Sequence, residues 1–313
     1  MDVSLCPHVF QRPTERWGCE MKPGFSRKIE GYLFISPWLI GFLFFVAGPM
    51  VYSLVLSFQK WSLMSEPKFI GLQNYAKLSG DPLMWLSLKN TVYYVFGSVP
   101  LRLFLALILA VLINQKIAGT NLYRAILYSP SLITGVALAV VWMWMFQPDY
   151  GLVNSLLSRI GISGPRWLGS TEWAMPALIL MSLWTIGSQM VIFLAGLQDI
   201  PGQLYEAAAL DGANAWQRFT TVTLPMLSPV ILFNLIMNII QSFQVFEHVY
   251  IMTGGGPANS TLVAVLYLYD NAFKFFKMGY ASAFAWILFL IILVMTLVVL
   301  RTSQHWVHYQ GGV

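Results

Sequence analysis

Five polar side chains recur at helical spacing along one largely apolar stretch of the chain: Asn234, Asn238, Gln241, Gln244 and His248, advancing by 4, 3, 3 and 4 residues. At 100° per residue they stay within about a third of a helix circumference, so the spacing predicts one polar face. Amides both donate and accept hydrogen bonds and carry no charge to desolvate, which suits a neutral ligand rich in hydroxyl groups. The same residues also glue helices together in an apolar solvent, at about 0.6 kcal/mol per contact, and both uses are open. Ser182, Thr185 and Gln189 repeat the pattern at spacings of 3 and 4, with Trp184 and Ser188 adjacent. Hydroxyls in such places often bond backbone instead, and the rings of Trp142, Trp144 and Trp184 serve either stacking or anchoring at an interface. Arg102 stands beside Pro100 with no acid close in sequence. It can hold an anion, pair with another chain or snorkel, and structural pairing is the leading expectation.

A second kind of chemistry, docking, is suggested by QDIPGQLYEAAALDGANAWQRFTTVTL at 198–224, which is too polar to span a membrane. Pro201 suits the first position of a helix, Gln203 to Leu210 are good helix formers, and Gly212 is a natural stop. The small Ala207 and Ala208 let another protein approach the backbone, while Glu206 and Asp211 offer carboxylates to basic groups. A helix lying on lipid would instead favour Trp, Leu and Lys.

The elements that position these groups follow from composition. Of 313 residues, 57% are hydrophobic and 10% charged, too few polar residues to clothe a water-soluble surface. Apolar stretches at 31–58, 90–114, 122–147, 173–197, 225–251 and 281–300 are each long enough to cross about 30 Å of hydrocarbon. The expected fold is all-α and polytopic with six spans: an N-terminal tail over 1–30, a membrane domain over 31–301 carrying the 198–224 loop, and a C-terminal tail over 302–313. The first tail holds Cys6 and Cys19 and lacks the apolar core of a cleavable signal. Two cysteines there make neither a disulfide framework nor a metal cluster, and residues 1–20 read as an extension ahead of Met21. The net charge of +5 is too diffuse for nucleic acid and suits anionic lipid. Leaving Arg102 aside, Lys and Arg divide almost equally between the two sides, so the positive-inside rule leaves orientation undecided.

Glu206-Ala207-Ala208, three residues, Gly212, nine residues, Val222, one residue and Leu224-Pro225 resemble the EAA signature of permease subunits of ABC importers, with Val222 where Ile is usual. FIGLQNYAKLSGDP (69–82), LKNT (88–91), YGLVN (150–154), TGGGPANST (253–261) and MGYASAFAW (278–286) resemble the carbohydrate-type members of that family. The resemblance implies a type I importer fold in the bacterial cytoplasmic membrane, with both termini and the 198–224 loop cytoplasmic. It implies that Glu206, Ala207, Ala208, Asp211, Gly212, Leu224 and Pro225 form the coupling helix and its surroundings, inserted into a cleft on an ATP-hydrolysing subunit. It also implies partners: a second permease subunit that is a different chain, a dimer of ATP-binding subunits, and an extracytoplasmic solute-binding protein that delivers a sugar or oligosaccharide. A polyol, glycerol phosphate or a uronate oligosaccharide is the alternative cargo. The pathway residues expected from the polar rows are Asn234, Asn238, Gln241, Gln244, Thr185, Gln189 and Trp184.

No G-x-x-x-x-G-K-[ST] occurs, so ATP and Mg belong to the partner ATPase and no cofactor is expected on this chain. H-E-x-x-H, G-x-S-x-G and paired Cys motifs are also absent, which leaves no catalytic or metal-binding expectation and argues against an enzyme. A self-sufficient secondary transporter would call for ion-coupling acids at mid-membrane. Glu247 and Asp270 instead fall near the outer ends of predicted spans.

Overall fold

The computed structural model describes residues 25–62, 66–115 and 119–308. Cys6, Cys19, most of the N-terminal tail and the last residues of the C-terminal tail lie outside the described residues.

The chain divides into two units, residues 1–52 and 53–313. In the first, α1 (Phe25–Phe42) passes through a π turn at Leu43–Ala47 into α2 (Gly48–Ser57), whose last residues belong to the second unit. Pro49 has no N–H to offer the carbonyl four residues back, and the wider turn, in which Gly48 N–H reaches the Leu43 carbonyl, absorbs that loss. Phe34 is 87% exposed and Phe45 77%, and such apolar exposure suits lipid.

The second unit opens with a two-residue antiparallel ladder, β1 (Gln59–Lys60) with β2 (Lys68–Phe69). Asn74 of α3 (Gln73–Ser79) braces it by donating to the carbonyls of Ser57 at 2.8 Å and Gln59 at 2.9 Å. Asp81 then accepts from the Leu83 N–H at 2.9 Å and, with Pro82 at the first helical position, starts α4 (Pro82–Ile113). Its 32 residues give about 48 Å, enough to cross a bilayer with margin.

The third expected span is bent by 97° between α5 (Thr120–Tyr128), with its 3-10 turn to Leu132, and α6 (Gly135–Met145). The break falls at Ile133 and Thr134, both extended (ψ 133° and 143°), while Ser129 and Pro130 stay within the 3-10 turn. After α7 (Leu152–Arg159), the fourth bends by 46° between α8 (Ala174–Ser182), with its turn Leu183–Thr185, and α9 (Gly187–Gln198). Gly187 is there because a Cβ would stand 2.5 Å from the Leu127 carbonyl oxygen. The polar loop forms α10 (Gly202–Leu210) and α11 (Ala215–Arg218), followed by a π turn at Phe219–Thr223. Then come α12 (Leu224–Phe243), α13 (Glu247–Met252), α14 (Ala264–Tyr269) and α15 (Met278–Ser303). Among the described residues four helices are long and apolar enough to cross a membrane, and up to six if each bent pair is one span. Two of the expected spans, 122–147 and 173–197, are therefore broken, whereas 225–251 lies within one membrane-length stretch, Ala215–Met252, that loses helical form locally at Gln244–Phe246.

One core packs α4, α8, α12, α13 and α15 around Val95, Leu178, Phe243, Val249 and Phe284. A second joins α4, α9 and α12, where Ala106 and Ala110, both fully buried, let the backbones approach against Phe193 and Leu227. These two clusters hold α4 as the axis of the unit.

Candidate functional site

The two ends of α4 differ. At its C-terminal end a cavity of about 280 Å³ is lined by Asn114, Tyr205, Arg218 and Thr223, placing the 198–224 loop there. At the N-terminal end, about 48 Å away along the helix, a cavity of about 880 Å³ is lined by Lys60, Lys68, Lys77, Asp81, Lys277 and Tyr280, among others. Tyr267 donates to Asp81 Oδ2, and Tyr280 donates to the same oxygen at 2.6 Å. Burial pushes the Asp81 carboxyl up, but these two hydroxyls and the N–H groups of Leu83 and Met84 outweigh it and hold it below the ordinary carboxylate value. Burial first, and then the bond to Asp81, raises the Tyr267 hydroxyl to about 12.

In the polar loop, α10 starts after Pro201, which is the N-cap rather than the first helical residue. It ends in a Schellman motif: Gly212 N–H donates to Ala209 O at 3.1 Å and Ala213 N–H to Ala208 O at 2.9 Å, with Gly212 at φ +78°. Nothing lies within 4 Å of a Gly212 Cβ position, so the backbone angle, not space, requires glycine here. Asn214 and Gln217 close a reciprocal cap on α11 at 2.9 and 2.8 Å. Tyr205 bonds Thr223 at 3.0 Å, tying α10 to the π turn that leads into Leu224-Pro225. Glu206, Ala207, Asp211 and Gly212 are exposed, Leu224 is partly so, and Ala208 and Pro225 are half-buried. Two large apolar side chains that sequence reasoning did not single out stand exposed on this loop: Leu210 is 90% exposed and Trp216 71%, the latter stacked on Phe219 at 5.8 Å. Their signal was present as apolar residues within a polar segment.

The polar rows separate. Helix α12 stops at Phe243, so Gln244 caps it and His248 belongs to α13. The single five-residue face is thereby corrected, because the gap at Gln244–Phe246 resets the helical phase. Asn234 and Asn238, each 1% exposed, turn inward and donate to the carbonyls four residues back at 3.2 and 2.8 Å. Each amide thus bonds back onto its own helix, and neither lines the cleft described next. Gln241 and Gln244 remain exposed. With Thr185 they line a cleft of about 390 Å³ between α4, the break after α8 and the gap between α12 and α13, together with Arg102, Ser242 and His248. Gln189 is buried beside it. In one orientation its amide donates to Asn238 Oδ1 at 3.3 Å. Turned over, its oxygen accepts from Arg102 Nη2 at 2.8 Å and its nitrogen donates to Ile186 O at 3.2 Å. The turned form is preferred, because it relieves a donor facing a donor at a buried cation. Trp184, 48% exposed, meets Trp142 edge to face at 5.7 Å and does not line the cleft.

An apolar helical unit interrupted by breaks, with an exposed polar loop at one end, has counterparts among known proteins. Residues 91–306 match the family described as binding-protein-dependent transport system inner membrane component. The chain belongs to that family. This permease is 47% identical, over 90% of its own length and 93% of the relative's, to the probable ABC transporter permease protein YesP of Bacillus subtilis. It is 34% identical, over 89% and 90%, to the arabinooligosaccharides transport system permease protein AraP of the same organism. Among solved structures it resembles a chain of a bacterial ABC transporter involved in the import of the acidic polysaccharide alginate. The TM-score is 0.78 at 26% identity, covering 89% of this permease and 96% of that chain. The permease is thus an all-α membrane protein of the type I ABC-importer kind.

Proposed function

We propose that the permease forms, with a second and different permease subunit, the route by which a sugar or oligosaccharide crosses the cytoplasmic membrane, delivered by an external binding protein and driven by a separate ATPase dimer. ATP and Mg would sit on that ATPase. The observation that carries this reading is the exposed helix and turn at 202–225, ended by Gly212 and presenting Leu210 and Glu206, at the opposite end of α4 from Asp81. An apolar side chain 90% exposed between carboxylates is suited to a protein cleft, and we assign it to the ATPase on the cytoplasmic side. Both termini then lie in the cytoplasm, and the 880 Å³ cavity faces the binding protein. Gln241, Gln244 and Thr185 line the route. Similarity to an arabinooligosaccharide permease and to an alginate importer supports a carbohydrate cargo.

Co-expression with candidate ATPase and permease partners tests the assembly, and uptake of labelled mono- and oligosaccharides by the whole complex tests the cargo. Single cysteines replacing Asn259 and Glu206 test orientation. Asn259 is expected to react in intact cells and Glu206 only after permeabilisation. The reverse pattern would remove the importer reading.

A further inference from the structure

Arg102 lies about 30 Å along α4 from Asp81 and about 18 Å from Asn114, within the span and only 8% exposed. Among the described residues one ion pair occurs, Lys274 with Asp270 at 2.7 Å, so no carboxylate there balances the guanidinium. Its Nη2 reaches the Gln189 amide, while Nε has no hydrogen-bond partner. Two more buried polar atoms on the same 390 Å³ cleft share that state, Ser242 Oγ and His248 Nδ1. Glu247, the acid on the cleft, makes no ion pair with Arg102, and its carboxylate lies against Gly135 at the N-terminus of α6. The remaining titratable side chain on the wall is Tyr94.

A buried guanidinium without an anion is costly inside a membrane domain, and removing its partner from a buried pair is among the most destabilising of changes. We infer that Arg102 is a carboxylate-binding residue of the translocation cleft and that the cargo is an acidic sugar. This rests on the carbohydrate reading above and narrows it. The fork of Nε–H and Nη–H matches the two oxygens of a uronate carboxylate, which the neutral amides Gln241 and Gln244 cannot balance. Ser242 and the two amides are then left for ring hydroxyls, and about 390 Å³ falls within the range of small-molecule sites.

The test uses the whole complex with its binding protein in proteoliposomes, offered digalacturonate or its neutral counterpart galactobiose. Wild type is expected to import digalacturonate at least tenfold faster than galactobiose. Arg102→Gln should lower initial digalacturonate uptake about tenfold or more while the second permease subunit and the ATPase co-purify in full. Arg102→Lys, which keeps the charge but not the fork, should assemble and retain an intermediate rate. Unchanged digalacturonate uptake in Arg102→Gln would overturn the assignment, as would faster import of galactobiose by wild type. Loss of the second permease subunit from the Arg102→Gln complex would also overturn it, because the missing carboxylate would then belong to the partner chain. If the assembled wild type imports neither sugar nor any member of the wider panel, the carbohydrate reading itself falls, a result distinct from the others.

Discussion

Tyr280 donates to Asp81 Oδ2 at 2.6 Å across 199 residues of chain, and Tyr267 donates to the same oxygen. The N-cap of α4 is thereby tied to α14 and α15, the elements that flank the end of the permease assigned to the binding protein. Neither tyrosine is near Asp81 in sequence, and the contact exists only because α14 returns alongside α4 and α15 alongside α3.

That network predicts a stability profile. Asp81 has a lowered folded value, so its contribution is present above its ordinary 3.8 and is lost as the pH falls through the lowered value. Tyr267 is raised, so its contribution is present below the ordinary 10.0 and is lost as the pH rises towards about 12. Thermal unfolding of the purified permease should be insensitive to these groups between those limits. Asp81→Asn should remove the acid-side loss and cost about 0.5 kcal/mol at neutral pH, at the low end for a hydrogen-bonded group because the site is open to solvent. An unchanged acid limb in this variant would show that other carboxylates set it.

The exposed 202–225 segment, proposed to dock the ATPase, gives a second prediction. Gly212→Asp places a side chain at φ +78°, costing about 1–2 kcal/mol locally. Glu206→Lys reverses a docking charge, and Leu210→Ser removes the exposed anchor. All three variants should insert normally, bind the ATPase more weakly and lose uptake. Pull-down and uptake read the two steps separately, and substrate-stimulated ATP hydrolysis at the wild-type rate would show that the loop does not transmit the signal.

Burial separates the amides. Asn238→Leu removes a buried amide and its bond to the Asn234 carbonyl, so it should lower the thermal stability of the complex by about 0.5–1.5 kcal/mol. Gln241→Leu removes an exposed wall residue and should instead reduce uptake by up to about tenfold with assembly intact. Comparing melting temperature with transport rate for the pair decides it, and equal transport by Gln241→Leu and wild type would take that residue off the route.

Gly187 marks the closest approach between α9 and the α5 end. Gly187→Ala must displace the Leu127 carbonyl, 2.5 Å from the new methyl, or Ser131 Oγ at 2.8 Å. Overpacking of this kind costs about 1–3 kcal/mol. Reduced yield of folded permease, measured by size-exclusion chromatography in detergent, is the expected outcome, and a wild-type yield would show that the two segments separate freely.

Local chemistry explains what was legible in the sequence. Apolar stretches long enough to span need only their own side chains to announce a bilayer, and α4 and α15 appear close to where hydropathy puts them. Pro201, Gly212 and the carboxylates of α10 are likewise read within one turn of helix, since capping involves neighbours in sequence. The break of the third span at the extended Ile133 and Thr134 is not visible to a hydropathy window, which averages over it. The division of the amide row belongs to tertiary structure. Helical periodicity assumes one uninterrupted helix, whereas the gap at Gln244–Phe246 shifts the phase, and only the packing of α9 and α4 over α12 turns Asn234 and Asn238 inward while leaving Gln241 outside. The same holds for Arg102, whose missing counter-ion is a statement about every element packed around it. Burial and pairing are sums over neighbours distant in sequence, and a one-dimensional pattern does not carry them.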